Sequence, residues 1–200
     1  FWPDLDPDRG VRAFHVTMSA VRRAVEPDLE RGAASSVVAT EGDAYRVLLD
    51  ESVTFDADEF VRLVEVGVDD PDPDAQRVSL TTALALHGGE PFPEWAYDAW
   101  VEGLRNRVQR AQVRALETLG GNMLDGARAA DAVEPLSTLV ELDPCLEAGH
   151  RGLMRAHHAA GERARALRQF HACRSALVRE QGVEPSQETR DLYSSILGDG

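Results

Sequence analysis

Apolar residues in the first part of the chain recur at helical spacing and then at strand spacing. Phe14, Met18, Val21 and Val25 fall at steps of 4, 3 and 4, which predicts one stripe on a helix. Asp6 and Pro7 suit its start, as cap and as a first residue that needs no N–H partner. Pro27 and the Gly32–Ser36 run end it. Ser36 to Thr40 and Tyr45 to Leu49 are short β-branched or aromatic runs around Glu41-Gly42-Asp43, a hairpin signal. After Asp50 the pattern is helical throughout. Asp56 with Glu59 reads as a capping box opening a helix with Phe60, Leu63 and Val64 on one face. Val68 to Pro73 breaks it, and a helix over Asp74 to Leu86 offers Val78, Leu80, Leu84 and Leu86 for burial. Gly88 to Pro93 is a loop. A long helix from about Glu94 carries Trp100, Leu104, Val108, Ala111 and Ala115 on one stripe, and Ser186 caps a last helix that turns Leu192, Ile196 and Leu197 inward.

The stretch from Leu116 to Glu184 contains one pattern written twice. Leu119 recurs as Leu153, Ala132 as Ala166 and Leu136 as Phe170, each 34 residues on. That period and the Leu-Gly, Ala-x3-bulky template belong to tetratricopeptide repeats. The first copy supplies Leu116, Leu119, Gly120, Met123, Ala132, Leu136 and Pro144. The second keeps Leu153, His157, Ala166 and Phe170, with Met154 in place of Gly and Val178 in place of Pro. A small residue at Ala132 or Ala166 lets paired helices approach, so both should face their own hairpin partners. One hairpin cannot bury its apolar face alone, which calls for stacked neighbours and a terminal capping helix. The fold class predicted is mainly α: a tetratricopeptide-like superhelix of antiparallel helix pairs over residues 50–200, preceded by residues 1–49 as a recognition helix and β-hairpin wing remnant.

Composition narrows the function. The net charge is −14, and all 21 basic residues are Arg. Residues 1–49 hold 6 Arg against 8 acids, and the remainder holds 15 against 27. The larger part should therefore repel phosphate backbones, leaving the first segment as the place for any nucleic-acid contact. No apolar run is long enough to span a membrane, and a soluble cytoplasmic protein with no membrane partner is expected. Cys145 and Cys173 form no C-x-x-C pair and read as packed free thiols.

A basic helix followed by a hairpin matches the last third of a winged helix. Arg12, His15, Ser19, Arg22 and Arg23 lie off the apolar stripe, and Arg46 lies in the wing. Trp2-Pro3-Asp4, the run Phe14 to Val25 and Gly42 to Arg46 resemble the recognition helix and wing of the OmpR-like domain in Streptomyces antibiotic regulatory proteins. Phe55 to Phe60, Ala83 to Pro91, Trp100, Ala160 to Leu167 and Gly182 to Ser186 resemble the bacterial transcriptional activator domain that follows it in those regulators. The resemblance covers almost the whole chain. It implies control of transcription and no catalysis, with DNA contact through Arg12, His15, Ser19, Arg22, Arg23 and Arg46. The family commonly has arginines where this chain has His15 and Ala20, so base readout is thinned. An OmpR-like domain also places a sheet and two helices before the recognition helix, and without them the short chain is expected to bind DNA weakly or not at all.

Other chemistry finds no support in the residues. His150, His157, His158 and His171 cluster in the second repeat without a short-spaced zinc motif, and a satisfied, partly buried His157 is the expectation. No nucleophile elbow, phosphate loop or calcium loop is present, so no enzyme activity, metal or cofactor is implied. For partners, the stacked helices suggest a protein, another domain of the same regulator or a second copy in a homodimer. An acidic groove would favour basic segments. The alternative is a helical-repeat scaffold with no DNA binding of its own.

Overall fold

The computed structural model describes residues 4–30, 32–42, 44–48, 54–95, 98–126 and 128–199. The chain divides into two compact units, residues 1–54 and 55–200. In the first, helix α1 (Pro7–Val25) precedes strands β1 (Val38–Glu41) and β2 (Ala44–Val47). The strands pair antiparallel, with Val38 opposite Val47 and Glu41 opposite Ala44. Gly42 takes φ +59° in the turn, a conformation glycine adopts without a Cβ clash. The predicted second run reaches Leu49, which lies outside the described residues.

The second unit is helical. Three antiparallel pairs follow in order: α2 (Asp56–Val68) with α3 (Pro73–Leu86), α4 (Ala99–Asp125) with α5 (Ala129–Leu142), and α6 (Glu147–Ala159) with α7 (Arg163–Gln181). The last helix, α8 (Gln187–Gly198), packs on α6 and α7. First helices of successive pairs also touch, α2 with α4, α4 with α6 and α6 with α8. No strand lies among the described residues of this unit, as the repeat predicted. Asp72 caps α3, accepting from the Asp74 amide at 3.0 Å, and Ser186 caps α8. At the end of α7, Gly182 has φ +70°, and the Val183 amide reaches back to the Leu177 carbonyl, closing the helix as an αL cap.

Close packing follows from the small residues of the repeat. Ala132 and Ala166 are fully buried, as expected. Leu136 on α5 fits against two glycines on its neighbours. A Cβ on Gly120 of α4 would stand 2.5 Å from its Cδ2, and one on Gly152 of α6 would stand 2.8 Å from it. Leu136 with Leu116, Ala132, Leu139, Leu153 and Ala156 makes the middle core cluster. The second copy is built differently, because Met154 stands where Gly120 stood. There Met154, Ala166 and Phe170 form a cluster with Ile196 of α8, and Tyr193 stacks on Phe170 with centroids 4.2 Å apart.

Several helix ends depart from the sequence reading. Asp56 is the first residue of α2 and not its cap: its carboxylate bonds the adjacent Ala57 amide, and Glu59 is drawn into a two-pronged contact with Arg62. Val78 and Leu86 point outward, because α3 presents Leu80 and Ala83 to the core. The long helix starts at Ala99, after a short 3-10 turn over Pro93–Trp95. Its buried face runs through Val101, Val108 and Ala111, which turns Trp100 out to solvent. Leu197 is likewise half exposed while Ile196 is buried.

His150 on α6 is buried. Its Nε2–H donates to the Pro144 carbonyl at 3.0 Å, and Nδ1 accepts from Gln169 of α7 at 2.7 Å. Burial holds its pKa below the ordinary 6.5, outweighing those bonds and the charges of Glu147 and Asp143. The unfolded chain therefore binds more protons than the folded one once pH falls below 6.5, and stability declines from there as pH falls through the folded pKa. In thermal melts from pH 7.5 to 5.5, His150→Gln should show a shallower loss of Tm than the wild type; parallel curves would refute the assignment. For the helix crossing, Gly120→Ala should cost roughly 1–3 kcal/mol through overpacking on Leu136. Gly121→Ala, with nothing within 4 Å of the new Cβ, should instead add about 0.5–1 kcal/mol through helix propensity. Chemical denaturation of both variants distinguishes the two, and equal stabilisation would refute the close contact.

Candidate nucleic-acid interface

The first unit is held together by polar contacts at both ends of α1. Asp6 accepts from the Asp8 amide at 3.1 Å and Pro7 opens the helix, which fixes its start. At the other end, the Glu26 carboxylate accepts from the Ser35 hydroxyl, the Ser36 hydroxyl at 2.6 Å and the Ser36 amide at 2.9 Å. Those bonds, the Ser35 hydroxyl foremost, bring its pKa down to about 2. The start of the hairpin is thereby tied to the end of the helix.

Arg22 then seats the hairpin on α1. Its Nε donates to the Val38 carbonyl at 3.0 Å, Nη2 donates to Thr40 Oγ1 at 2.6 Å, and the guanidinium lies 5.2 Å from the centre of the Tyr45 ring. Tyr45 also meets Phe14 edge-on at 5.3 Å, and its hydroxyl lies 2.6 Å from His15 Nδ1. The helix face turned to the hairpin is therefore Phe14, Met18 and Arg22, all half-buried, while Val21 and Val25 are exposed. This corrects the predicted stripe. The long arm of Arg22 covers apolar surface while its head is satisfied by the hairpin, so an arginine takes a place that periodicity assigned to valine.

The six residues suggested by the sequence separate accordingly. Arg22 and His15 are engaged by the hairpin. Arg46 pairs with Glu41 across the strands at 2.8 Å. The Ser19 hydroxyl donates to the His15 carbonyl of its own helix at 2.9 Å, and Arg23 Nε donates to the Ser19 carbonyl at 3.3 Å. Arg23 is exposed and its terminal nitrogens have no partner among the described residues, and Arg12 is exposed with no ion-pair partner among them. Arg9, absent from the sequence-based set, is exposed and unpaired in the same sense. Arg9, Arg12, Ser19 and Arg23 follow one another at steps of 3, 7 and 4, so they share one face of α1. That spacing was the signal available for Arg9.

In the second unit, a cleft of about 320 Å³ lies between α3, α4 and α5, with Leu84, Leu116, Leu119 and Met123 below and Asp131 and Glu134 at its edge. A second hollow of about 240 Å³ sits under the 88–92 loop. There His87 stacks on Phe60 at 4.8 Å, its pKa lowered by burial despite a bond with Gln112. Two histidines of the second repeat, His150 and His157, are engaged within the fold. His150 has both nitrogens bonded, and His157, half-buried, pairs with Glu162 at 2.8 Å. Among the described residues, no helix is long and apolar enough to cross a membrane.

The chain is 25% identical over 201 residues to the transcriptional regulatory protein MoaR1 of Mycobacterium tuberculosis, and equally to its counterpart in Mycobacterium bovis. Each alignment takes in 98% of this chain and 63% of the relative, so the chain spans less than two thirds of the regulators it matches. Its structure is similar to Mycobacterium tuberculosis EmbR, solved in complex with a low-affinity phosphopeptide, with a TM-score of 0.80 at 20% identity over 98% of this chain and 52% of EmbR. The family model of the bacterial transcriptional activator domain matches residues 55–197. That match takes in all of α2 to α7 and nearly all of α8, and on it the chain belongs to the bacterial transcriptional activator domain family, a family of regulator domains and not of enzymes.

Proposed function

We propose that this chain is the core of a DNA-binding transcription regulator, in which α1 lies against DNA and the helical unit makes regulatory protein contacts or self-associates. The observation that carries the reading is the exposed face of Arg9, Arg12, Ser19 and Arg23 on α1, in a chain whose net charge is −14. A protein so acidic approaches a polyanion only through a local cationic stripe. The similarity to MoaR1 supports a role in transcription. The stacked helix pairs, with clefts such as that between α3 and α5, suit a protein partner.

The roles of the individual arginines follow from their partners. Arg9, Arg12 and Arg23 are free to hold phosphates, which gives affinity without direct sequence information. Arg22, Tyr45 and His15 position the wing beside that face. Arg46 would reach DNA only by giving up Glu41. Exposed Val21 and Val25 mark the edge of α1 against which supporting helices would pack in a longer parent regulator. A short chain is then a weak binder and an extended one a tight binder.

The test is a salt titration of duplex binding by this chain and by a version extended upstream in its parent. With three arginines on phosphate, log K should fall against log salt with a slope of roughly −2 to −3 from this face. Arg12→Ala and Arg23→Ala should each flatten the slope by about 1. Arg22→Ala should instead loosen the hairpin, read as lost amide protection at Val38 and Thr40. No binding by the extended version, or intact binding by the Arg12 and Arg23 variants, would favour a protein-binding scaffold with no DNA contact of its own.

A further inference from the structure

Trp100 was expected in the core and stands outside it. It is 56% exposed, and Trp95 and Phe92 beside it are 44% and 39% exposed. The Trp100 ring lies 5.3 Å from Phe92 and 6.2 Å from Trp95, centroid to centroid, so the three make one contiguous aromatic surface. Soluble proteins seldom leave such a surface open, and tryptophan is enriched where partners bury their contact residues.

This surface is held in place. Arg105 of α4 donates from Nε to the Pro91 carbonyl at 2.9 Å and from Nη2 to the Phe92 carbonyl, and it pairs with Glu90 at 3.0 Å. Phe92 has φ +49°, the only non-glycine residue with positive φ among the described residues. The left-handed region is unfavourable for an L-residue, and the Arg105 contacts hold the loop in it. The loop therefore presents Phe92 in a fixed pose, and little ordering cost remains for a ligand to meet.

Charge selects the occupant. Glu94 and Asp98 bracket Trp95 in sequence, both are exposed, and neither has an ion-pair partner among the described residues. Asp98 precedes α4 without using its carboxylate as a cap. Among the described residues, the cation bonded to this loop is Arg105, which is already committed to Glu90 and the two carbonyls. An apolar partner would leave both carboxylates unpaired at its edge, and an anionic one would be repelled. A guanidinium can lie flat on an indole face and bond carboxylates at its rim, which an ammonium does less well.

We propose that Phe92, Trp95 and Trp100, with Glu94 and Asp98, form a docking surface for an exposed arginine-bearing segment of a partner protein. The proposal rests on the reading of the helical unit as a protein-contact module and names the chemistry of its partner.

Binding of a dye-labelled, glycine-flanked arginine peptide to the full chain, followed by fluorescence anisotropy, tests it against lysine and citrulline versions. The arginine peptide should bind saturably, about tenfold more tightly than the lysine peptide, and the citrulline peptide should not bind. Trp100→Ala and the pair Glu94→Gln/Asp98→Asn should each weaken binding about tenfold. Trp100→Phe, which keeps a ring, should retain most of it. Glu117→Gln/Glu141→Gln, a change of equal charge elsewhere on the helical unit, should leave binding intact, and circular dichroism melts should show every variant folded. Equal affinity for arginine and lysine peptides with no response to Trp100→Ala would overturn the proposal in favour of diffuse attraction. So would a concentration-dependent dimer in sedimentation that Trp100→Ala abolishes, since a second copy would then be the occupant. DNA binding by α1 is read in a separate titration, so failure here leaves the regulator reading standing.

Discussion

Leu136 sits between two glycines, and the spacing of three helices follows from that contact. Gly120 on α4 and Gly152 on α6 each leave room for its isobutyl group, where any Cβ would come within 3 Å of it. Each glycine gives up roughly 0.5–1 kcal/mol of helix propensity relative to alanine. In return α5 lies close enough to both neighbours to bury Leu116, Leu139 and Leu153 in one cluster. The first pair repeats the device, with Gly67 of α2 against Leu80 of α3. The last pair cannot use it, because Met154 fills the equivalent place, and the fuller space is closed by α8 through Ile196 and Tyr193. The terminal helix thus caps the stack by packing on the side chain that replaces glycine in the repeat.

The period was legible in the sequence and the orientation of helix ends was not. Spacing of 34 residues and the Gly-Pro loops locate helix pairs because one repeat must be the same physical object as the next. Near a helix end, however, several arcs carry apolar residues, and only the neighbour decides which is covered. Spacing assigns Val78, Leu86, Trp100 and Leu197 inward and they lie outward, whereas Leu80 and Ile196, assigned inward with them, are buried, and Ala83 and Val101 take buried places that spacing does not single out. On α1 the replacement was of another kind, since a charged residue displaced valine. No hydrophobic pattern announces that Arg22 will be satisfied by a strand carbonyl, a threonine and a tyrosine ring contributed 16 to 23 positions later.

The same blindness limited the candidate interface. Sequence locates a cationic helix but does not say which guanidiniums are already committed. Six residues were named, of which Arg12 and Arg23 face solvent with donors to spare, while Arg22, His15 and Arg46 serve the helix and hairpin. Arg9 completes the open face and lies before the apolar stripe that begins at Phe14. Surface pairs such as Arg62 with Glu59 or Arg174 with Glu184 contribute little stability. Their consequence is electrostatic, because each removes a cation from the supply available to a polyanion.

A basic complement made of arginine alone bears on both surfaces. Arg22 reaches the Val38 carbonyl, Arg105 those of Pro91 and Phe92, Arg163 those of Ile196 and Leu197 at the end of α8, and Arg190 that of Pro185. In each case a planar fork satisfies main-chain acceptors that helix or strand geometry leaves open, and Arg22, Arg105 and Arg163 use two nitrogens at once. A lysine has no fixed fork and would hold such a pair less well. Arginines of this kind are fasteners: one seats the hairpin beside the cationic face of α1, and another fixes the loop that carries the exposed aromatic rings. Among the residues the fasteners leave over are Arg9, Arg12 and Arg23 on one unit and the carboxylates Glu94 and Asp98 on the other, none of which has an ion-pair partner among the described residues. For the two proposed roles, the opposite charges would keep the partners distinct, since a polyanion drawn to the first unit would be repelled by the second.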